Sequence, residues 1–330
     1  MPKGLFILGT GNYDKIYSPE QQQTIHERVD IYAPPMTADE AAADRSVLHD
    51  ADVIFSGWGG PKLDVDFLNA APHLKAVFYG AGSIRGLVTD TFWERNIQIT
   101  SAAAANAVPV AEFTFAQIIL GLKRGWHHAL HIKHTGQWMR PDPIAGTYDS
   151  VVGLISLGLI GQRVADLLKL LHVKVIAYDP FVSAETAAQL NVELVSLDAV
   201  FEQADLVSLH TPWLPETVGM ITGAHFAAMK PNTTFINTAR GAVIREDEMI
   251  AVLQQRPDLY AVLDVTYPEP PASDSPLFTL PNVILTPHIA GCVGTECWRM
   301  GAYMVEELER YLRGEALRSG ITRAQSARMA

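Results

Sequence analysis

The chain is poor in cysteine, in positive charge and in uninterrupted apolar sequence, and each shortage removes a class of function. Cys292 and Cys297 are the 2 cysteines among 330 residues, with no CxxC pair or Cys/His ladder, so neither a disulfide framework nor a structural zinc site is expected. Such usage suits a reducing, cytoplasmic setting. Lys and Arg total 25 against 36 Asp and Glu, a formal net charge of -11 that argues against a nucleic-acid groove or an anionic membrane surface. Anionic metabolites would have to be caught by local positive groups. The most apolar later stretch, around 107–122, contains Pro109 and Glu112, and no membrane span is expected. The opening MPKGLFILGTG lacks the apolar core and cleavage site of a signal peptide and reads as a first strand, Leu5 to Gly9.

What is present suffices for about two domains of ~150 residues, and 48% hydrophobic content is ample for packed cores. Short apolar runs ending in Gly, Pro or Asn recur: LFILGT, VDIYAP, VIFSGW, AVFYGAG and IQIT, then VVGLISLG, VKVIAY, LVSLHTP, TTFINTA, YAVLDV and VILTPH. Helical stretches separate most neighbours, which is the alternation of α/β folds with parallel sheets. The two series break near SAAAANAVPVAEF, ahead of an apolar interdomain helix from about Val110 to Arg124. A last helix, roughly Thr295 to Leu312, carries spaced apolar residues, and the tail after Gly314 reads as loosely ordered.

SLGLIG follows a strand, Val151 to Ser156, and precedes a helix starting near Gly161. That order aims backbone N–H groups and a helix N-terminus at a pyrophosphate. Ser156 takes the first glycine position of GxGxxG, while Gly158 and Gly161 keep the positions for close phosphate approach and helix packing. Alone, the turn reads equally as an ordinary strand-to-helix connection. Asp179 ends the next strand, where a carboxylate accepts from ribose hydroxyls and repels a 2′-phosphate. With no Lys or Arg in the following PFVSAE, NAD is favoured over NADP.

Arg240, Glu269 and His288 each come after a strand, the side of an open parallel sheet where ligands bind. Singly they read as a surface salt bridge, a solvated loop and a capped histidine. Together they describe hydride-transfer chemistry: a guanidinium for a carboxylate, an imidazole to exchange a proton with an alkoxide, and a carboxylate to stabilise the imidazolium.

Through VGLISLGLIGQRVA, YDP, VSLHTPWLPETVGMI, FINTARGAVI, LDVTYPEP and ILTPHIAG, in that order, the chain resembles the D-isomer-specific 2-hydroxyacid dehydrogenase family over nearly its whole length. The resemblance implies two doubly wound parallel-sheet domains: a flavodoxin-like substrate domain (1–104 plus 293–330) and an inserted Rossmann NAD-binding domain (105–292). It implies interconversion of a 2-oxo acid and a D-2-hydroxy acid, and homodimers formed largely through the cofactor domains. His288 becomes the acid/base, Glu269 its partner and Arg240 the group that grips the substrate carboxylate and polarises its carbonyl. Leu159 and Ile160 fall at the pyrophosphate, and Val110, Thr211, Thr238, Asp264 and Gly291 around the cofactor, although Asp264 reads also as a strand-end cap and Thr211 as a turn with Pro212. In the first domain, backbone N–H groups around Gly80, Ala81 and Gly82 face the substrate carboxylate, with Trp58 as a wall. GAGSIRG departs from the usual loop by lacking the Asp that commonly follows the glycines, which leaves the substrate undefined.

The absence of further C-terminal sequence disfavours a phosphoglycerate dehydrogenase with a regulatory domain, and Glu269, where formate dehydrogenases carry glutamine, disfavours that activity. The competing class is a dinucleotide-sensing, corepressor-like protein with little turnover; a third reading is a cofactor site weakened by Ser156. His127, His128, His131 and His134 share helical faces but lack a carboxylate or cysteine to complete a metal set, and the two cysteines read as buried small side chains.

Overall fold

In the computed structural model, residues 1–138 and 144–329 are described. The chain divides into two compact units, Met1–Asn106 with Cys292–Ala330, and Ala107–Gly291.

Unit 1 holds β1 (Lys3–Ile7), β2 (Asp30–Ile31), β3 (Val53–Ser56), β4 (Ala76–Tyr79) and β5 (Gln98–Ser101), all parallel, in the order β2-β1-β3-β4-β5. This is the flavodoxin-like order. The first strand lies two residues earlier than the apolar run suggests, because Gly4 to Ile7 pair with Val53 to Ser56 of β3. Strand residues alternate between two cores. Phe6, Phe55 and Phe78 stack across three neighbouring strands, with centroids 5.1 and 5.2 Å apart, on the face covered by Met300, Met304 and Leu308 of the helix Trp298–Leu312. Leu5, Ile7, Ile54, Val77 and Ile99 line the opposite face. The tail after Gly314 is built into this unit, which corrects the expectation of loose order: Ser101 N–H donates to Ser319 O and Ile321 N–H to Ile99 O, Thr100 pairs antiparallel with Gly320, and Arg323–Ser326 is helical. The exposed edge of β5 supplies the unpaired backbone groups that the tail satisfies.

Unit 2 holds β6 (Tyr148–Ile155), β7 (His172–Tyr178), β8 (Val192–Leu194), β9 (Leu206–Leu209), β10 (Thr234–Asn237), β11 (Tyr260–Leu263) and β12 (Val283–Leu285), again all parallel, ordered β12-β11-β10-β9-β6-β7-β8. Strand order reverses between β6 and β9, the switch point at which open α/β sheets bind ligands beyond their C-terminal ends. Its central strands β9, β10 and β11 are buried along their whole length, packed on both sides by Val, Ile, Leu and Phe.

The apolar helix runs Ala103–Leu122, seven residues earlier than Val110, with Pro109 inside it. Apolar packing outweighs the one lost hydrogen bond: Ala111, Ile118 and Leu122 pack with Leu154, Leu206, Ile236 and Val262. Among the described residues it is the one helix long and apolar enough to cross a membrane, with 39% of its most apolar window buried. Its composition is accounted for by the sheet it covers.

Candidate active site

At the switch point β6 ends on Ile155 and Ser156 turns the chain with a left-handed backbone, φ 77°. Glycine adopts that conformation freely; a residue with a Cβ is strained there by about 1 kcal/mol or more. Ser156 N–H donates to Tyr178 O at 2.8 Å, and its Oγ lies 2.9 Å from Thr211 Oγ1, tying the turn to the end of β9. The helix Leu159–Leu168 starts two residues before Gly161. A Cβ on Gly161 would sit 2.1 Å from Ser156 O, so only glycine lets helix and turn approach this closely, whereas a Cβ on Gly158 would meet nothing within 4 Å. No side chain caps the N-terminus of this helix, which leaves the first-turn N–H groups, Leu159 and Ile160 among them, for an anion. Leu159 is 57% exposed.

Asp179 is held in place by the turn it serves. Oδ2 accepts from Leu157 N–H at 2.7 Å, and Oδ1 accepts from Phe181 and Val182 N–H at 2.8 and 3.0 Å. Oδ1 is thereby filled, while Oδ2, with one bond accepted, keeps a lone pair for a further donor. The uncapped helix, the open space over Gly158 and this fixed carboxylate together fit a dinucleotide. Val110, Thr211 and Thr238 are all buried, and Thr238 Oγ1 pairs with Thr114 Oγ1 at 2.9 Å. Thr211 and Thr238 therefore already engage protein hydroxyls.

The second cluster lies beyond the C-terminal ends of β10, β11 and β12. Asn237 ends β10 fully buried, donating from Nδ2 to Arg240 O and accepting at Oδ1 from Ala239 N–H, so it fixes the backbone from which Arg240 leaves. Gly241 is obligatory: a Cβ there would lie 2.1 Å from the carbonyl carbon of Thr266. Arg240 is half-buried and donates from Nη1 to Ala239 O. Burial pulls its pKa down from the usual arginine value, and the charge of Glu269 opposes that fall.

His288 Nδ1 stands 2.6 Å from Glu269 Oε1, with side chains 47% and 41% exposed. His288 itself is left-handed, φ 54°, a conformation held by its surroundings. Asp264, 2% exposed, supplies them: its carboxylate accepts from Thr286 Oγ1 and from Ile289 and Ala290 N–H, and its carbonyl accepts from His288 N–H. The Asp264 side chain is thus committed to the loop that presents His288, as well as to the strand end. Gly291 follows this loop half-buried. Glu246 Oε2 accepts from Tyr267 N–H on the Glu269 side. Tyr267 and Trp213 meet edge to face at 5.3 Å, joining the loops after β11 and β9. The signals for these supports were a buried-type polar residue at each strand end, in NTARG and LDV, and aromatics beside the motifs, in HTPW and VTYP.

Unit 1 has a parallel arrangement beyond β3 and β4. Ser101 Oγ donates to the carbonyls of Ala81 and Gly82, and Gly80 has no room for a Cβ, which would meet Ile16 Cγ2 at 2.8 Å. Gly82 is open. Trp58 is half-buried, with Lys15 Nζ 4.8 Å above its ring.

His127, His128, His131 and His134 lie on the helix Gly125–Thr135, where His127 Nδ1 meets Tyr260 Oη at 3.1 Å. No group of three or more potential metal ligands occurs among the described residues. Cys292 and Cys297 are buried and unbridged, and burial pushes the Cys292 thiol up to about 12.

Fold and loop chemistry define an α/β protein with a dinucleotide-binding unit. Residues 116–290 match the model of the D-isomer specific 2-hydroxyacid dehydrogenase NAD binding domain. The chain belongs to that family, and unit 2 is its NAD-binding domain. It is 31% identical over 261 residues to D-3-phosphoglycerate dehydrogenase of Archaeoglobus fulgidus, covering 79% of this chain and 49% of the relative. With (S)-sulfolactate dehydrogenase of Chromohalobacter salexigens it shares 34% identity over 253 residues, 76% of this chain and 82% of the other. The chain spans about half the length of the phosphoglycerate dehydrogenases it matches. The NAD-complexed D-isomer specific 2-hydroxyacid dehydrogenase of Lactobacillus delbrueckii ssp. bulgaricus has the same fold, with TM-score 0.79 at 24% identity over 97% of this chain and 100% of that one. D-mandelate dehydrogenase of Rhodotorula graminis aligns with TM-score 0.79 at 24% identity over 98% of each chain.

Proposed function

We propose that this protein is an NAD-dependent dehydrogenase that interconverts a small 2-oxo acid and a D-2-hydroxy acid. The observation that carries the reading is the 2.6 Å contact between His288 Nδ1 and Glu269 Oε1, in the same unit as a half-buried Arg240 and following neighbouring strands. NAD, when bound, supplies the hydride chemistry. Gly158, Leu159, Ile160 and Gly161 hold its pyrophosphate through backbone N–H groups; Asp179 accepts from the ribose hydroxyls; Val110, Thr211, Thr238, Asp264 and Gly291 shape the remaining surface.

In the reductive direction His288, paired at Nδ1 with Glu269, donates its Nε2 proton to the oxygen at C2 as negative charge develops there. Glu269 fixes the ring and balances the imidazolium. Arg240 grips the substrate carboxylate with its planar fork, orienting C2 so that transfer is effectively intramolecular. In oxidation the neutral imidazole accepts the same proton.

Unit 1 is assigned as the substrate domain, contributing Trp58 and the backbone of Gly80, Ala81 and Gly82. A cytoplasmic setting, with neither nucleic acid nor membrane as partner, accords with the net charge of -11 and the sparse cysteine, and a homodimer with the family resemblance. The test is NADH oxidation followed at 340 nm against acids from glyoxylate and hydroxypyruvate to phenylpyruvate, sulfopyruvate and phosphohydroxypyruvate, with chiral analysis of the product. Reduction of at least one to its D-2-hydroxy acid is expected. Binding of NADH without reduction of any acid would transfer the reading to a dinucleotide sensor.

A further inference from the structure

Ser156 stands where a glycine would be at ease, and its left-handed backbone, φ 77°, strains a residue that carries a Cβ. Strain of this kind persists only where the surroundings hold it, and it collects at binding sites. The turn is held by four contacts. Ser156 N–H donates to Tyr178 O, Leu157 N–H to Asp179 Oδ2 and Gln162 Nε2 to Leu157 O, while Ser156 Oγ lies 2.9 Å from Thr211 Oγ1. A glycine at this position would lose only the last.

Burial decides the direction of that bond. Thr211 is 3% exposed, and among the described residues its hydroxyl meets no partner other than Ser156 Oγ. A buried hydroxyl proton without an acceptor is costly, so Thr211 donates and Ser156 accepts. Ser156 then keeps its own proton, on a half-buried side chain with no further partner among the described residues. Accepting one bond strengthens a hydroxyl as donor of the next. Ser156 follows β6 and Thr211 follows β9, neighbours across the switch point, so this proton is available at the crevice beyond their C-terminal ends.

The flanking groups define what it meets. On one side Asp179, bound to Leu157 N–H, serves the ribose of the adenosine half; on the other, Gly158 is open and the helix Leu159–Leu168 starts uncapped, toward the pyrophosphate. Between them an acceptor-only phosphate oxygen suits a free O–H. We propose that Ser156 Oγ–H is a further donor to NAD, directed at the phosphate of its adenosine half, with Thr211 as the positioning residue that orients it. The serine is then a binding group, and the departure from the glycine motif is no defect. This rests on the placement of NAD proposed above and is independent of turnover.

NADH affinity by fluorescence titration, and ADP affinity by displacement of NADH, are measured for wild type, Ser156→Gly and Ser156→Ala well below their unfolding temperatures. Restoring the glycine separates the two roles by sign: relief of strain alone would tighten NADH or leave it unchanged, whereas loss of a donor weakens it. Both variants are expected to bind NADH about tenfold more weakly, with the same factor for ADP, as for one hydrogen bond to a charged oxygen. The Tm of Ser156→Gly should stay within a few degrees of wild type. Thr211→Val should weaken NADH binding more in the wild-type background than in Ser156→Gly; equal losses would strike out its positioning role. A loss below threefold in Ser156→Gly, or tighter binding, would overturn the proposal, as would a loss for NADH that ADP does not share. Should Ser156→Ala fail to fold, Ser156→Gly decides alone. A wild type that binds NADH but reduces no acid would end the dehydrogenase reading and leave these affinities to decide; one that binds neither nucleotide would overturn both.

Discussion

Acidification should weaken the cofactor unit through one residue. His210 follows β9 directly beneath the glycine turn, 8% exposed, with Nε2 3.1 Å from Ser208 Oγ and Nδ1 buried without a partner. Protonation would add an N–H with no acceptor, and burial drives the pKa down to about 4. In the unfolded chain the same ring titrates near 6.5. Between those values the unfolded state binds a proton that the folded state refuses, so the stability contributed at neutral pH is lost as pH falls through about 6.5 toward about 4. At ~1.36 kcal/mol per pH unit the full term is about 3 kcal/mol, of which about 2 kcal/mol is gone by pH 5. Urea unfolding of wild type and His210→Gln at intervals from pH 7.5 to 5 measures it. The wild-type free energy should fall by about 2 kcal/mol more than that of the variant. Parallel curves would refute the assignment of this acid sensitivity to His210.

Other substitutions probe the site from different sides. Gly161→Ala would drive a Cβ into Ser156 O, so NADH affinity should fall at least tenfold by fluorescence titration and stability by about 1–3 kcal/mol; unchanged affinity would mean the turn does not carry the pyrophosphate. Arg240→Lys keeps the charge but loses the fork, and kcat/KM for the preferred 2-oxo acid should fall about 100-fold with NADH binding unchanged; a fall below threefold would remove Arg240 from substrate binding. Asp179→Ala removes the ribose acceptor and the charge that repels a 2′-phosphate, so the preference for NADH over NADPH should shrink at least tenfold. An unchanged ratio would assign Asp179 to the turn alone.

The alternating plan was legible because buried parallel strands read as short apolar runs with turn residues at their ends, and VVGLIS, FIN and VIL each sit in such runs. The order of charged residues after those runs pointed to one sheet edge. What escaped depends on partners distant in sequence. The tail after Gly314 is ordered by the free edge of β5, a property of the folded sheet that local composition does not carry. The start of the helix Ala103–Leu122 was hidden by Pro109, since the apolar packing that tolerates it comes from strands beyond residue 150. The serine at the first glycine position was visible, but its bond to Thr211 was not. Asp264 read equally as a cofactor contact or a strand-end cap; the three hydrogen bonds that commit it to the His288 loop exist only once β11 and β12 pair.

The central claim is that His288, paired with Glu269, moves the proton of the reaction while taking no part in holding the cofactor. Single-turnover reduction of the preferred 2-oxo acid by a stoichiometric NADH complex, compared between wild type and His288→Ala with NADH affinity measured on the same samples, tests it most directly. The account predicts NADH binding within threefold of wild type and a rate of reduction lowered ~100-fold or more. An undiminished rate in the variant, or a loss of rate matched by an equal loss of NADH binding, would contradict it.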